Sequence, residues 1–225
     1  MSGTHSALDE QQAFSNYYEA ARNGLLELLA GEPAPRRVLE IGCGGGANLA
    51  ELKRRFNNIH TIGVEKLPQA AAAARNAGRV DEMIVGDVLD AEAVSFETAT
   101  FDLIVLSHVL EHLAQPEQVL ERCKQWLRPE GRMLIALPNL RHFSVLKELL
   151  VNGDFRYRDD GILDRTHLRF YTRRSAERLF AAHGLAVVKR RGDIAGRRSR
   201  TLDLLSLGLA REFTAFAFNF LVVRT

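Results

Sequence analysis

The chain of 225 residues is 46% hydrophobic and 26% charged, with 30 Lys and Arg against 28 Asp and Glu. These values exclude a disordered chain, a fibrous repeat and a disulfide-stapled miniprotein. We expect one soluble domain over residues 1–225, without a signal sequence. Two cysteines outside any metal-binding spacing predict a reducing, cytoplasmic location. The longest uncharged apolar run near the end, 213–223, is shorter than the ~20 residues that a membrane span needs.

Hydrophobic patterns predict strands that alternate with helices along most of the chain. Helices are predicted at residues 8–30, 47–56, 68–78, 116–127, 140–151 and 173–183. Strands are predicted at residues 37–41, 60–65, 80–85, 101–106, 132–137, 185–191 and 215–224. The repeated strand and helix units indicate an α/β fold with a doubly wound parallel sheet. The last two strands, which are separated by a long connection, suit antiparallel pairing at a sheet edge.

The near-neutral net charge conceals a basic region. Residues 141–200 carry 15 Lys and Arg against 7 Asp and Glu, whereas residues 1–140 are net acidic. Such an excess favours an anionic partner, although arginines on solvated helix faces explain it equally well. No nucleic-acid-binding motif accompanies the basic stretch in the sequence, so a nucleic acid is not the expected partner.

A glycine cluster joins the first predicted strand to the helix that follows it. Gly42, Gly44 and Gly46 permit positive φ angles and allow a ligand to approach the backbone closely. The spacing fits a tight turn, and it also partly fits the dinucleotide-binding fingerprint. Glu40 lies two residues before Gly42, where its charge repels a pyrophosphate and suits a cationic amino group instead.

Two more carboxylates follow the next predicted strands. Glu65 ends the second strand, where a carboxylate can accept hydrogen bonds from both hydroxyls of a ribose. Asp87 follows the third strand, where it can accept from an adenine amino group. Together with Glu40, these residues fit an adenosine that carries a cationic amino acid at its other end.

Five segments in order carry a more specific signal: VLEIGCGGGANLAEL, GVEK, IVGDVLD, FDLIVLSHVLEHL and LRPEGRMLIALPN. In these segments the chain resembles the class I S-adenosylmethionine-dependent methyltransferases. The resemblance implies a Rossmann-like sheet of seven strands, mostly parallel with an antiparallel last strand. It also implies S-adenosyl-L-methionine as cofactor and S-adenosyl-L-homocysteine as product. The cofactor site that it implies comprises Tyr18, Glu40, Gly42, Cys43, Gly44, Gly46, Glu65, Lys66, Asp87, Val88, Ser107 and His108.

The resemblance also divides the domain into regions. Residues 8–30 correspond to a helical lid over the cofactor, although Tyr17 and Tyr18 fit core packing equally well. Residues 37–140 form the cofactor-binding half, and residues 141–212 form a substrate and insertion region. Within the latter, the apolar run 202–210 suits a substrate lid or plain packing, and alternatively a membrane contact or a homodimer interface.

Two histidines are candidates for a catalytic base, since histidine titrates near neutral pH. The first is His108, which the resemblance puts next to the transferred methyl group. His108, Glu111 and His112 also form the His-x-x-Glu-His zinc pattern, which belongs within a helix and needs a third ligand from elsewhere. Because the pattern starts here at the end of a strand, no metal is expected, and His112 is interpreted as a structural hydrogen-bonding residue.

The second candidate base, His167, lies in the polar segment LDRTHLRF together with Arg165 and Arg169. The segment resembles LDRTHLRFFT, found after the fifth strand in a branch of methyltransferases associated with sugar and surface-polysaccharide metabolism. It suits a substrate site in which the arginines bind a carboxylate or phosphate and His167 takes a hydroxyl proton. An anchor that only holds the insertion in place explains the segment equally well.

The expected function is methyl transfer from S-adenosylmethionine to a small-molecule acceptor. An anionic acceptor is one form of this expectation. Oxygen of a sugar or another hydroxyl-bearing metabolite is the expected site, and N- or C-methylation is the alternative. A nicotinamide-dependent oxidoreductase is disfavoured by Glu40 and Asp87. A cofactor-binding protein without transfer activity would carry the same motifs and stays open as a rival.

Overall fold

The computed structural model describes residues 21–194, 201, 203–207 and 210–225. Seven strands form one sheet in the order β3-β2-β1-β4-β5-β7-β6. Their bounds are β1 (Arg37–Ile41), β2 (His60–Glu65), β3 (Glu82–Val85), β4 (Phe101–Ser107), β5 (Leu127–Pro138), β6 (Leu185–Asp193) and β7 (Ala217–Arg224).

The α-helices follow the strands in the predicted alternation. They are α1 (Asn23–Leu26), α2 (Ala47–Arg55), α3 (Pro68–Asn76), α4 (Pro116–Trp126), α5 (Phe143–Leu150), α6 (Arg173–Ala182) and α7 (Arg211–Thr214). Proline at the first position starts α3 and α4, where its missing N–H costs no helical hydrogen bond. None of the helices in the described ranges is long and apolar enough to cross a bilayer.

Strand directions confirm the predicted fold class. β1 pairs in parallel with β2 and β4, β2 with β3, and β4 with β5. β7 runs antiparallel between β5 and β6. The sheet is therefore mostly parallel, with the last strand of the chain antiparallel and inserted next to the edge strand.

The sheet is buried on both faces. In β1, Leu39 belongs to a core cluster that includes Leu120 of α4 and Phe180 of α6. The preceding residue, Val38, belongs to a second cluster that includes Leu49 of α2. Since successive side chains of a strand point to opposite faces, helices cover the sheet on both sides, as in a doubly wound fold.

Two element predictions differ from the structure. A helix through residue 30 was expected, but Arg22 has non-helical angles (φ −81°, ψ 72°), and only α1 and the 3₁₀ turn Glu27–Leu29 follow it. The first part of the predicted lid, with Tyr17 and Tyr18, lies outside the described residues. The fifth strand was expected to begin at 132, yet β5 begins at Leu127, directly after α4.

Candidate functional site

A cavity of about 650 Å³ opens at the carboxyl ends of the parallel strands. Its lining includes Glu40 of β1, Glu65 of β2, Asp87 after β3 and Ser107 of β4. The sheet order puts β1 beside β4, so that connections leave in opposite directions on either side of this pair. Crevices at such a switch point are the usual ligand sites of open α/β sheets.

The glycine loop forms one wall of the cavity through Gly42, Cys43 and Gly44. Gly42 has a φ of +65°, and a Cβ atom there would lie 2.8 Å from Cγ2 of Val109. Both the angle and the contact require glycine. Gly46 has a φ of +75° and caps the N-terminus of α2, but it is not among the cavity-lining residues.

Glu40 is a buried carboxyl group at the cavity wall, with 1% of its surface exposed. Its Oε1 accepts a hydrogen bond from Nδ2 of Asn48, while its Oε2 is buried and has no hydrogen-bond partner among the described residues. Burial, opposed by this hydrogen bond and assisted by the charge of Glu65, raises the pKa of Glu40 to about 8. Burial of Cys43 itself, assisted by the charges of Glu40 and Glu65, raises the pKa of its thiol and so favours the neutral form.

Glu65 connects β2 to the glycine loop. Its Oε2 accepts from the backbone N–H of Gly44 at 2.8 Å, and its Oε1 accepts from the N–H of Leu67 at 2.8 Å. Each carboxylate oxygen can accept a second hydrogen bond. Glu65 is thus held rigidly at the cavity wall and still offers acceptor capacity to a ligand.

Lys66 and Asp87 form an ion pair at the same wall, with 2.8 Å between Nζ and Oδ2. This pairing and the hydrogen bond from the N–H of Leu89 hold the pKa of Asp87 below its usual value. Val88 follows as a buried apolar side chain in the lining. A planar aromatic ligand therefore meets both an apolar surface and a polar edge here.

His108 and Glu111 form a pair at the end of β4. Nδ1 of His108 donates to Oε1 of Glu111 across 3.1 Å, and only 16% of the His108 side chain is exposed. His108 has a φ of +58°, a left-handed angle that is rare outside glycine and occurs disproportionately at functional sites. Both His108 and the preceding Ser107 line the cavity.

The residues of the predicted substrate segment are not all at the cavity. Among its members, Thr166 lines the cavity, whereas Arg165, His167 and Arg169 do not. Arg165 is 63% exposed and pairs with Asp159. Nη2 of Arg169 donates to the carbonyl oxygen of Ala114, which does line the cavity.

His167 lies in the second layer behind the cavity wall. It is 7% exposed, and its ring stacks edge to face on His112, with 4.7 Å between the centroids. His112, interpreted from the sequence as a structural hydrogen-bonding residue, contacts Oγ1 of Thr166 through Nδ1 at 3.1 Å and also lines the cavity. The two histidines are thus in contact across 54 intervening residues.

Sequence reasoning missed Asn48, which lines the cavity and hydrogen-bonds Glu40. A signal for it exists, because residue 48 lies in the first turn of the helix that follows the glycine loop, where side chains point back toward the loop. Arg22 also lines the cavity and was not predicted, since it belongs to a segment that was read as a continuous helix.

A family model described as a methyltransferase domain matches residues 12–190, which is most of the chain. The chain belongs to this family of S-adenosylmethionine-dependent methyltransferases. The class I assignment made from the five motif segments is confirmed.

Curated relatives of this methyltransferase include two ubiquinone biosynthesis O-methyltransferases. The protein of Chelativorans sp. is 27% identical over 192 residues, which cover 80% of the present chain and 73% of the relative. That of Xylella fastidiosa is 28% identical over 134 residues, which cover 55% and 54% of the two chains. The chain thus spans about half the length of the second relative.

A solved structure with the same fold is a methyltransferase of Thermotoga maritima, described as a possible histamine N-methyltransferase. It superimposes with a TM-score of 0.67 at 17% identity, covering 97% of this chain and 96% of the other. At this identity the comparison establishes the fold.

The cavity of the methyltransferase fits the cofactor of its family. The unpartnered Oε2 of Glu40 is a buried acceptor that suits a cationic amino group. Glu65 offers free acceptor capacity on the neighbouring strand, and Asp87 lies beyond it on the next. The three carboxylates thus belong to or directly follow three neighbouring strands, β1, β2 and β3.

Proposed function

We propose that the protein transfers a methyl group to a hydroxyl oxygen of a small molecule, with His108 as the general base. The observation that carries this proposal is the hydrogen bond from Nδ1 of His108 to the buried carboxylate of Glu111. In the neutral ring this bond keeps the proton on Nδ1 and leaves the lone pair on Nε2. A hydroxyl nucleophile needs such a base, whereas a neutral amine does not.

The cofactor supplies a methyl group on a cationic sulfonium. In the proposal, Glu40 accepts from the ammonium of its amino-acid end, Glu65 accepts from the ribose hydroxyls, and Asp87 accepts from the adenine amino group. Ser107, which ends β4 beside β1, and His108, which follows it, then lie at the methyl end. The acceptor hydroxyl approaches in line and gives its proton to Nε2 of His108.

In the proposal the acceptor enters past Thr166 and His112, which line the same cavity. The curated relatives carry the name O-methyltransferase, which supports oxygen as the methylated atom. The acceptor class proposed is a phenol or sugar with a free hydroxyl.

The test is transfer of a labelled methyl group from S-adenosylmethionine to a panel of catechols, phenols, sugars, sugar phosphates and amines. The expected products are O-methyl ethers. With the best acceptor, His108→Ala lowers kcat by roughly 10²–10⁴-fold, the usual contribution of a general base. The matched control is His60→Ala, which removes an exposed histidine paired with Glu82 outside the cavity. Transfer only to amines, or wild-type turnover of folded His108→Ala, contradicts the proposal.

A further inference from the structure

Glu111, His112 and His167 form a compact group of potential metal ligands beside the cavity. One ligand atom from each residue lies within 4.8 Å of the other two. Glu111 and His112 belong to the 3₁₀ turn Leu110–His112 after β4, and His167 comes from the irregular segment before α6. The segment is held in place because the backbone N–H groups of Leu168 and Arg169 both donate to the carbonyl oxygen of Glu111.

The carboxylate of Glu111 is incompletely satisfied. Only 1% of the residue is exposed. Oε1 accepts from His108, but Oε2 is buried without a hydrogen-bond partner in the part of the chain that the structure describes. A buried, unpartnered carboxylate oxygen is costly, unless a cation or donor occupies the adjacent space.

Both histidines have one ring nitrogen in a hydrogen bond, which leaves the other nitrogen for a metal. Nδ1 of His167 is 2.9 Å from the carbonyl oxygen of Ile162, which can only accept, so the proton is on Nδ1. Nδ1 of His112 is 3.1 Å from Oγ1 of Thr166, whose own proton is donated to Asp164, so His112 is again the donor. Each Nε2 therefore keeps its lone pair. Metal-bound histidines are held by this kind of hydrogen bond from the other nitrogen.

We propose that Glu111, His112 and His167 bind one divalent transition-metal ion of the Zn²⁺ type. Two imidazoles and a carboxylate are a ligand set of catalytic zinc sites, which leave the fourth position open. Ligands around a tetrahedral zinc ion, with bonds of about 2.0–2.1 Å, lie about 3.4 Å apart. The three ligand atoms of the present group, within 4.8 Å of one another, would have to move closer together on binding.

This site was not expected from the sequence, because the His-x-x-Glu-His pattern lacked a third ligand and did not lie in a helix. In the structure His108 is not part of the ligand group, and His167 supplies the third ligand. Because His112 lines the cavity, the proposed ion borders it, and its open position is available to a ligand there. On the proposed function, that position binds an oxygen atom of the acceptor.

The experiment is a titration of the purified, tag-free, chelator-treated protein with Co²⁺, followed by competition with Zn²⁺. Co²⁺ reports its coordination through visible absorption bands. The expected result is one Co²⁺ per chain with the intense bands of a four-coordinate site, displaced by Zn²⁺. Glu111→Gln and His112→Ala each weaken binding by more than about 10-fold. Removing a residue that only hydrogen-bonds a metal ligand already costs at least this much affinity. His60→Ala, which removes a histidine on β2, binds as wild type.

Two results overturn the proposal: absence of stoichiometric Co²⁺ binding to the wild type, or wild-type affinity in both ligand variants. Circular dichroism of each variant establishes that it is folded, and Glu111→Gln preserves the shape of the buried side chain. Binding is measured without cofactor or acceptor. Failure to find methyl transfer would therefore not affect the measured metal binding. The metal proposal and the O-methylation proposal can thus be contradicted independently.

Discussion

Nδ2 of Asn48 donates a 2.7 Å hydrogen bond to Oε1 of Glu40, and this bond ties α2 to the end of β1. Oδ1 of the same amide accepts from the backbone N–H of Arg22 at 2.8 Å. One side chain therefore connects the segment before α1, the glycine-loop helix and the carboxyl group at the cavity wall. The remaining oxygen of Glu40 is left for a ligand.

Binding of S-adenosylhomocysteine is expected to tighten as pH rises from 6 to 8. The raised pKa of Glu40, about 8, means that the folded protein keeps a proton that the unfolded chain loses near 4.5. Stability from this group is therefore fully present below 4.5 and is lost as pH rises to 8. A cationic ligand needs the ionised form, so affinity approaches a tenfold gain per pH unit below 8.

Calorimetry at pH 6, 7 and 8 measures this dependence, with Glu40→Gln as the control. The amide does not ionise, so its binding is weaker and nearly independent of pH over this range. An equal pH slope in wild type and Glu40→Gln would show that another group titrates on binding.

Replacement of Glu65 by alanine is expected to weaken S-adenosylhomocysteine binding by about 1.5–3 kcal/mol, the range for hydrogen bonds to a charged group. The change removes the acceptor of the Gly44 N–H and, in our proposal, of the ribose hydroxyls. The matched control is Glu82→Ala on the adjacent strand β3, whose exposed carboxylate pairs with His60. Equal affinities of the two variants in calorimetry would remove Glu65 from the site.

Gly42→Ala is expected to destabilise the protein more than Gly78→Ala does. Both glycines have nearly the same φ, +65° and +64°, so both variants lose about 1–2 kcal/mol from the left-handed angle. At Gly42 the new Cβ also meets Val109 at 2.8 Å, whereas nothing lies within 4 Å at Gly78. Denaturant unfolding measures the difference, and identical losses would mean that the loop yields to the contact at no cost.

Asn139→Ala is expected to lower the free energy of unfolding by about 3 kcal/mol, because buried groups lose their partners. Nδ2 of Asn139 donates to the carbonyl oxygens of Glu212 and Ala215, and its Oδ1 accepts from the N–H of Arg141. The expected drop in Tm is roughly 6–12 °C for a domain of this size. Asn152→Ala, at an exposed position, is the control, and a similar Tm for both variants contradicts the prediction.

The meeting of three carboxylates at one cavity could be predicted, because the ends of the strands position them. Glu40, Glu65 and Asp87 each follow or end an apolar run that becomes a parallel strand. Parallel strands end at one edge of the sheet, so residues far apart in sequence meet there without any knowledge of loop structure. All three carboxylates line one cavity for this reason.

The part of the cavity wall near His112 could not be predicted in the same way. Contact between His112 and His167 depends on an irregular segment whose path is set by backbone hydrogen bonds to the Glu111 carbonyl, and no periodicity encodes such bonds. The predicted start of β5 at residue 132 was wrong for a related reason. Pro129 and Gly131 indicate a turn, yet they lie within the strand, where the register with β4 shifts between Phe101 and Leu103.

The position of β7 in the sheet affects the folding of the chain during its synthesis. As synthesis proceeds, β5 emerges long before β7, and its outer edge has no strand to pair with until β7 is complete. Pairing across so long a stretch of chain is slow, because the loop-closure entropy is lost before any contact forms. In the meantime β5 has an open edge that can pair with other chains. It also exposes Met133, Leu134 and Ile135, which are fully buried in the native fold. Rapid overproduction therefore favours aggregation, which slower synthesis or a chaperone that shields this edge counteracts.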